Sequence, residues 1–269
     1  MLSDLTFGQY YQAESFIHKM DARVKILLLI AYIVLIFVVK NFYGFIVVGA
    51  FLIIATLFSK VSFFSMLKSA SGILFILLLT VVLNLFFYKT ENPTPMFWII
   101  SYEAFYFASF MALRLLTLVL GSMLLTYTTT PVALTDGIES LLSPLKVIKF
   151  PVHELALVMS IALRFIPILM SEADRIIMAQ KARGADFDSG NIFKRAKALV
   201  PVLIPLLVSA FRRAEELGDA MDSRCYSGSS VRTKFRKLKT SWRDLIGTLF
   251  TIICFTAVIL FNAYLGAIV

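Results

Sequence analysis

Two cysteines in 269 residues, Cys225 and Cys254, leave no basis for a disulfide framework or a CxxC metal site. The two histidines, His18 and His153, are far apart in sequence, so no HExxH zinc helix can be built from them. No GxxxxGK[ST] stretch occurs, which removes the phosphate-cradling loop of P-loop proteins and with it direct ATP binding. "GADFDSG" has glycines but no lysine after them, and its Asp186 and Asp188 read as solvated turn residues rather than metal ligands. No serine–histidine or cysteine–histidine arrangement carries a recognisable nucleophile signature. Catalytic, cofactor-binding and metal-binding residues are therefore expected to be none. Acids are nearly absent from the apolar half, which argues against a proton relay built from buried carboxylates.

What remains is apolar and basic. Hydrophobic residues make up 59% of the chain, charged residues only 16%, and the formal balance is +9. Nucleic-acid-binding chains are also basic, but they spread that charge over a soluble surface. Here the lysines and arginines collect in one part of a chain that elsewhere runs long distances without charge. That pattern belongs to an all-α, polytopic helical membrane protein whose immediate partner is the lipid bilayer, with no nucleic acid involved. The polar, acidic, aromatic start "MLSDLTFGQYYQAES" lacks the basic lead and apolar core of a signal peptide.

A bilayer core needs about 20 apolar residues per helix, fewer when flanking lysines snorkel. Apolar runs from Ile26 to Val39 and from there to Phe58 predict a tight hairpin with Lys40 at the outer interface. The link "SKVSFFSMLKSAS" is expected to lie flat on the inner surface, followed by a third span over Gly72–Tyr88. After the turn "KTENPTP" a fourth span runs from about Phe97 to Tyr127, its aromatic start along the outer interface. Between Pro131 and Asp244 lie 18 of the 26 basic residues, against five from Lys40 to Thr130. The excess of lysine and arginine in cytoplasmic loops puts this long segment inside the cell. Residues near Asp186 and Ser229 are then cytoplasmic, and Lys89 and Val269 external. Three parts follow: a membrane domain over 1–130, a cytoplasmic coupling domain over 131–240 with two long helices, and a last transmembrane helix over 241–269.

The stretches "LALVMSIALRFIPILM" and "ALVPVLIPLLVSAF" are short for spans and are interrupted by Arg164 in the first and by Pro201 and Pro205 in the second. They are placed on the cytoplasmic side. The first long helix is predicted from just after Pro151 to Arg183, with Ser160, Arg164, Ser171 and Arg175 on one polar stripe. The second is predicted from near Asn191. Beyond Leu206 it is amphipathic, with Leu207, Ala210, Ala214, Leu217 and Met221 facing one way and Arg212, Arg213, Glu216, Asp219 and Ser223 the other.

Each long helix ends on an arginine among small residues. Ala182-Arg183-Gly184 reads as a helix stop, with glycine past the end and a basic residue complementing the dipole. Ser223-Arg224-Cys225 fits that reading less well, since cysteine replaces glycine. Both triplets equally suit docking, because an arginine offers a rigid fork of donors to carboxylates or carbonyls on another protein. Residue spacing leaves both open. Arg114, set in "FMALRLLTLVLGS", is an intramembrane arginine whose readings are a transport role, or pairing to Glu103 or to carbonyls of neighbouring helices.

"SFIHKMDARVKILLL", "TTTPVALTDGIESLLSPLK", "PVHELALVMSIALRFIP" and the two arginine triplets, in this order and spacing, resemble the transmembrane T component of energy-coupling factor (ECF) type ABC transporters. The resemblance covers nearly the whole chain, and "LTFGQYY" is similar to the T components shared among several substrate-binding subunits. It implies a multi-pass protein of the bacterial plasma membrane and a non-catalytic coupling role. Two cytoplasmic ABC-type ATPases would dock at Ala182, Arg183, Gly184 and at Ser223, Arg224, Cys225. A membrane-embedded S component would capture a vitamin or similar micronutrient. A self-sufficient secondary transporter, or another polytopic scaffold, is the alternative; it predicts internal repeats and midplane ionisable groups, and neither stands out.

Overall fold

The computed structural model describes residues 10–87, 95–97, 100–185, 187, 191–226 and 240–265. Eight α-helices occur among them: α1 Ala22–Val38, α2 Phe42–Ser59, α3 Phe63–Phe87, α4 Tyr102–Thr128, α5 Pro131–Leu142, α6 Val152–Ala182, α7 Ile192–Asp222 and α8 Trp242–Leu265. A short antiparallel ladder, β1 Pro95–Phe97 with β2 Ile100–Ser101, precedes α4, and a 3-10 turn spans Ser143–Ile148. The all-α expectation holds. Lys89, Asp186, Asp188, Ser229 and Val269, on which part of the topological expectation rested, lie outside the described residues.

Five helices, α2, α3, α4, α6 and α8, are long and apolar enough to cross a membrane. The 17-residue α1 falls just short of that length. Three expectations change. The link expected to lie flat is the beginning of α3, because no glycine or proline interrupts the chain between Phe63 and Gly72. The fourth helix starts at Tyr102 rather than near Phe97, since the residues before it pair as β1 and β2. And the stretch set aside as too short for a span is part of α6, whose expected extent from just after Pro151 to Arg183 holds and which meets the length of a span.

The chain divides into two compact units: α1–α5 with α8, and the 3-10 turn with α6 and α7. In the first unit α1 packs against both α4 and α8. Its N-cap Asp21 accepts from the Arg23 N–H at 2.9 Å, satisfying one of the donors a helix start leaves over. Its far end has no basic residue in the last turn, yet the carbonyls there are not orphaned. Asn262 of α8 donates to the Val38 carbonyl at 2.8 Å, and Arg114 of α4 donates to that of Val39 at 3.0 Å. Arg114 also lies 4.8 Å from the centroid of the Phe110 ring, a cation–π distance. Of the readings open for Arg114, the geometry realises a bond to a neighbouring helix's carbonyl.

The opposite end is tied the other way. Buried Lys25 of α1 donates to the Thr128 carbonyl at 2.8 Å, at the C-terminus of α4, and to the Thr129 hydroxyl and the His18 carbonyl at 3.3 Å each. Asp244, also buried, accepts from the Asp21 N–H at 2.9 Å and from the Ser241 N–H at 2.7 Å, so one carboxylate joins the starts of α1 and α8. Midway, the Tyr32 hydroxyl donates to the Thr117 carbonyl of α4 at 2.9 Å. The Tyr32 ring stacks on Phe51, which stacks on Phe250, so one aromatic column links α1, α2 and α8. Beside it an apolar cavity of about 440 Å³ is lined by Phe16, Leu28, Phe51, Leu124 and Phe250 among others.

The segment before α1 is anchored to the same corner. The Tyr11 N–H donates to the Tyr127 carbonyl at 3.0 Å. His18 bonds the Tyr11 carbonyl through Nε2 at 2.9 Å and meets Ser15 Oγ through Nδ1 at 2.6 Å. A carbonyl only accepts, so the network assigns the proton to Nε2 and leaves Nδ1 to accept from serine. Burial pulls the imidazole below its ordinary pKa and the Lys25 charge adds to this, while its bond to the Tyr11 carbonyl opposes it. A depressed histidine pKa means that the unfolded chain binds more protons. The contribution to stability is therefore complete above about pH 6.5 and is lost as pH falls below it. The thermal midpoint of the detergent-solubilised protein should drop across that window, and His18→Gln should flatten the drop.

Gly121 of α4 is where α1 approaches closest. A Cβ there would overlap the Tyr32 ring, which its hydroxyl bond and its stacking hold in place. Gly121→Ala should cost about 1–3 kcal/mol through overpacking, partly offset by the roughly 1 kcal/mol by which alanine favours a helix. In a Tyr32→Leu background only the propensity gain remains. The same change should then become neutral or stabilising, and thermal unfolding in detergent reads the sign.

Candidate functional site

The candidate site consists of the two helix ends in the α6–α7 unit. α6 ends with Arg183 as its C-cap, and Gly184 follows with φ +88. The Gly184 N–H donates to the Lys181 carbonyl at 3.0 Å, and the Ala185 N–H donates to that of Gln180 at 3.0 Å. This pair of bonds, closed around a left-handed residue, is a Schellman cap. At the end of α7 the Cys225 N–H donates to the Asp222 carbonyl at 2.9 Å, and the Tyr226 N–H donates to that of Met221 at 3.0 Å. Cys225 has φ +55. The second end is thus the same cap as the first, with cysteine in the left-handed position that glycine holds in α6.

The two triplets therefore superpose in role. Ala182 closes α6 and Ser223 directly follows the end of α7, Arg183 and Arg224 come next, and Gly184 and Cys225 reverse the backbone. All six residues are exposed. The helix-stop reading is correct for the backbone of both triplets, and it explains why the arginines are presented as they are. A left-handed residue ends the helix abruptly, so the preceding side chain stands at its rim. Ser223 Oγ bonds back to the Ala220 carbonyl at 3.0 Å, which keeps it on its own helix. Cys225 is an exposed free thiol, and among the described residues no group of three or more His, Cys, Asp and Glu side chains gathers to hold a metal ion.

Between the two helices stands a cluster that the sequence pattern did not single out. Glu172 of α6 accepts from Ser209 Oγ at 2.6 Å and from Arg213 Nη2 at 2.9 Å, both on α7. The amphipathic assignment of α7 is corrected here. Leu206, Ala210, Arg213, Leu217 and Met221 are its half-buried stripe, whereas Leu207 and Ala214 are exposed. Arg213 thus belongs to the packed face, because its carboxylate partner stands on the neighbouring helix. On α6 the expected polar residues Arg164, Ser171 and Arg175 are exposed, with Glu172 turned inward beside them. One signal was available in the sequence: Glu172 precedes Arg183 by the same interval as Arg213 precedes Arg224.

Left-handed backbone costs a residue with a Cβ roughly 1–2 kcal/mol, and glycine offsets part of any gain through the entropy of the unfolded chain. Cys225→Gly should therefore leave stability unchanged or raise it by up to about 1 kcal/mol. Cys225→Val should lower it, since a β-branched residue is least tolerant of positive φ. Differential scanning fluorimetry on the three proteins checks the order.

The chain is similar to known proteins over nearly its whole length. The CbiQ family model, described as cobalt transport protein, matches residues 13–235. The energy-coupling factor transporter transmembrane protein EcfT of Clostridium kluyveri is 48% identical, over 99% of this chain and 100% of that protein. The EcfT proteins of Bacillus subtilis and Lactococcus lactis are each 42% identical, over 91% and 90% of this chain and 93% and 92% of their own.

Proposed function

The chain belongs to the CbiQ family and is the transmembrane coupling component of an energy-coupling factor transporter, and we propose that its two arginine-bearing helix ends each dock a cytoplasmic ATPase. One observation carries the reading: two different sequences, Ala182-Arg183-Gly184 and Ser223-Arg224-Cys225, close the same cap and present the same side chain. A helix stop alone needs no arginine at either site. Two matching arginines on two ends fit two similar partners, each offering carboxylates or carbonyls to a guanidinium fork.

The ends of α6 and α7 that carry the arginines then face the cytoplasm, in keeping with the basic excess after Thr130, and an S component stands beside the chain in the plasma membrane. ATP is bound and hydrolysed by the partner subunits, and this chain is non-catalytic. Closure of the ATPases pulls on the two helix ends, and the movement reorients the S component, which carries a vitamin or comparable micronutrient. The resemblance of "LTFGQYY" to shared T components supports one chain serving several S components.

Truncating a buried, charge-paired interface arginine typically removes about 2–5 kcal/mol of binding. A lost helix-end charge costs only about 0.3–1 kcal/mol. Arg183→Ala and Arg224→Ala should each weaken co-purification of the ATPases, and the double variant should abolish both assembly and uptake while inserting normally. Lysine at either site should rescue only in part, since it keeps the charge and loses the fork. Normal assembly of the double alanine variant would return both residues to simple helix stops.

A further inference from the structure

A side-chain cluster ties the two helices together. Glu172 uses both carboxylate oxygens on α7, one on the Ser209 hydroxyl and one on the Arg213 guanidinium, which stand one turn apart on the same face. From 172 to 183 is eleven positions, and from 213 to 224 is also eleven. Eleven residues make about three helical turns and about 16 Å, so each arginine lies nearly on the face, and equally far along the helix, from the tie. Neither eleven-residue arm contains proline. The prolines lie on the other side of the tie: Pro167 comes five residues before Glu172, and Pro205 four before Ser209. Each of them removes a backbone hydrogen bond and leaves a soft joint there.

We infer that the Glu172–Ser209–Arg213 cluster is the fulcrum of energy coupling, a set of positioning residues that makes the two ATPase-docking ends move as one piece. With the tie in place, a displacement at Arg183 turns the α6 arm about Glu172 and carries the α7 arm with it. Without it, each arm swings on its own proline joint and the stroke is dissipated. The inference rests on the docking reading for its functional part, though not for its geometry.

The experiment has two arms. In the isolated protein in nanodiscs, nitroxide amino acids are incorporated at positions 178 and 219, five residues before each arginine, which spares both cysteines. Both positions are exposed. Electron-electron distance measurements should give a narrow distribution in the wild type and a broad one in Glu172→Ala and in Arg213→Ala. The charge swap Glu172→Arg with Arg213→Glu should narrow it again. In the reconstituted complex, with its ATPases and S component, the same alanine variants should assemble and hydrolyse ATP. Uptake per ATP should fall about tenfold, a size within the coupling carried by networked residues, and the swap should recover part of it. An unchanged distance distribution overturns the fulcrum. So does unchanged uptake per ATP, and so does a loss of uptake that merely tracks lost ATPase co-purification. If the docking reading fails, the Arg183/Arg224 double alanine variant assembles normally; the distance arm needs no partner and is judged separately.

Discussion

The terminal carbonyls of a helix in an apolar medium must find donors, and the first unit is organised around meeting that need for α1 and α4. Four carbonyls in the last turn of any helix lack partners within it, and no water is present in a hydrocarbon core to take their place. α1 carries no cation at its own end, so α4 supplies Arg114 and α8 supplies Asn262. α4 lacks a cation at its own end too, and α1 supplies Lys25. The exchange is reciprocal, which sets the two helices in register as well as in contact. An isolated amphipathic pattern would not do that, because lipid is as apolar as the helices and gives little preference for one mutual sliding over another.

Once register is set, the remaining packing follows. Tyr32 meets Gly121 at the level where its hydroxyl reaches Thr117, and the ring then begins the stack through Phe51 to Phe250. Asp244 adds the start of α8 to the same corner that Lys25 holds, and His18 and Tyr11 fasten the segment before α1 to the end of α4. Many of this unit's buried polar groups bond to one another, and the ammonium that lines its cavity is already engaged.

The α6–α7 unit is built on a different principle. Its helices are long and carry three internal prolines, and, like the first unit, it leaves large apolar side chains uncovered; Leu203, Leu207 and Phe211 are each 60% exposed or more. Surfaces of that kind call for lipid or another chain to cover them. Two caps and one ionic cluster are the fixed points within it, and they are spaced regularly.

Much of this was legible in the chain itself. Hydropathy and length placed the long helices, and proline and glycine marked the ends of α6, because each of these is a local property of a few neighbouring residues. The arginine triplets stood out for the same reason. The equivalence of Cys225 to Gly184 did not, since nothing in a cysteine announces positive φ; the bonds that Cys225 and Tyr226 donate to Asp222 and Met221 decide it. The specific partners across the fold were out of reach, even where a type of partner was read, as for Arg114. Arg114 and Val39 are 75 positions apart, Lys25 and Thr128 are 103, and Glu172 and Arg213 are 41. Periodicity says which face of a helix is apolar, but not which helix it meets or at what height. Arg213 was therefore read as a solvated charge from its sequence alone. Only the tertiary structure, by setting α6 beside α7, placed a carboxylate opposite it and moved it to the packed face.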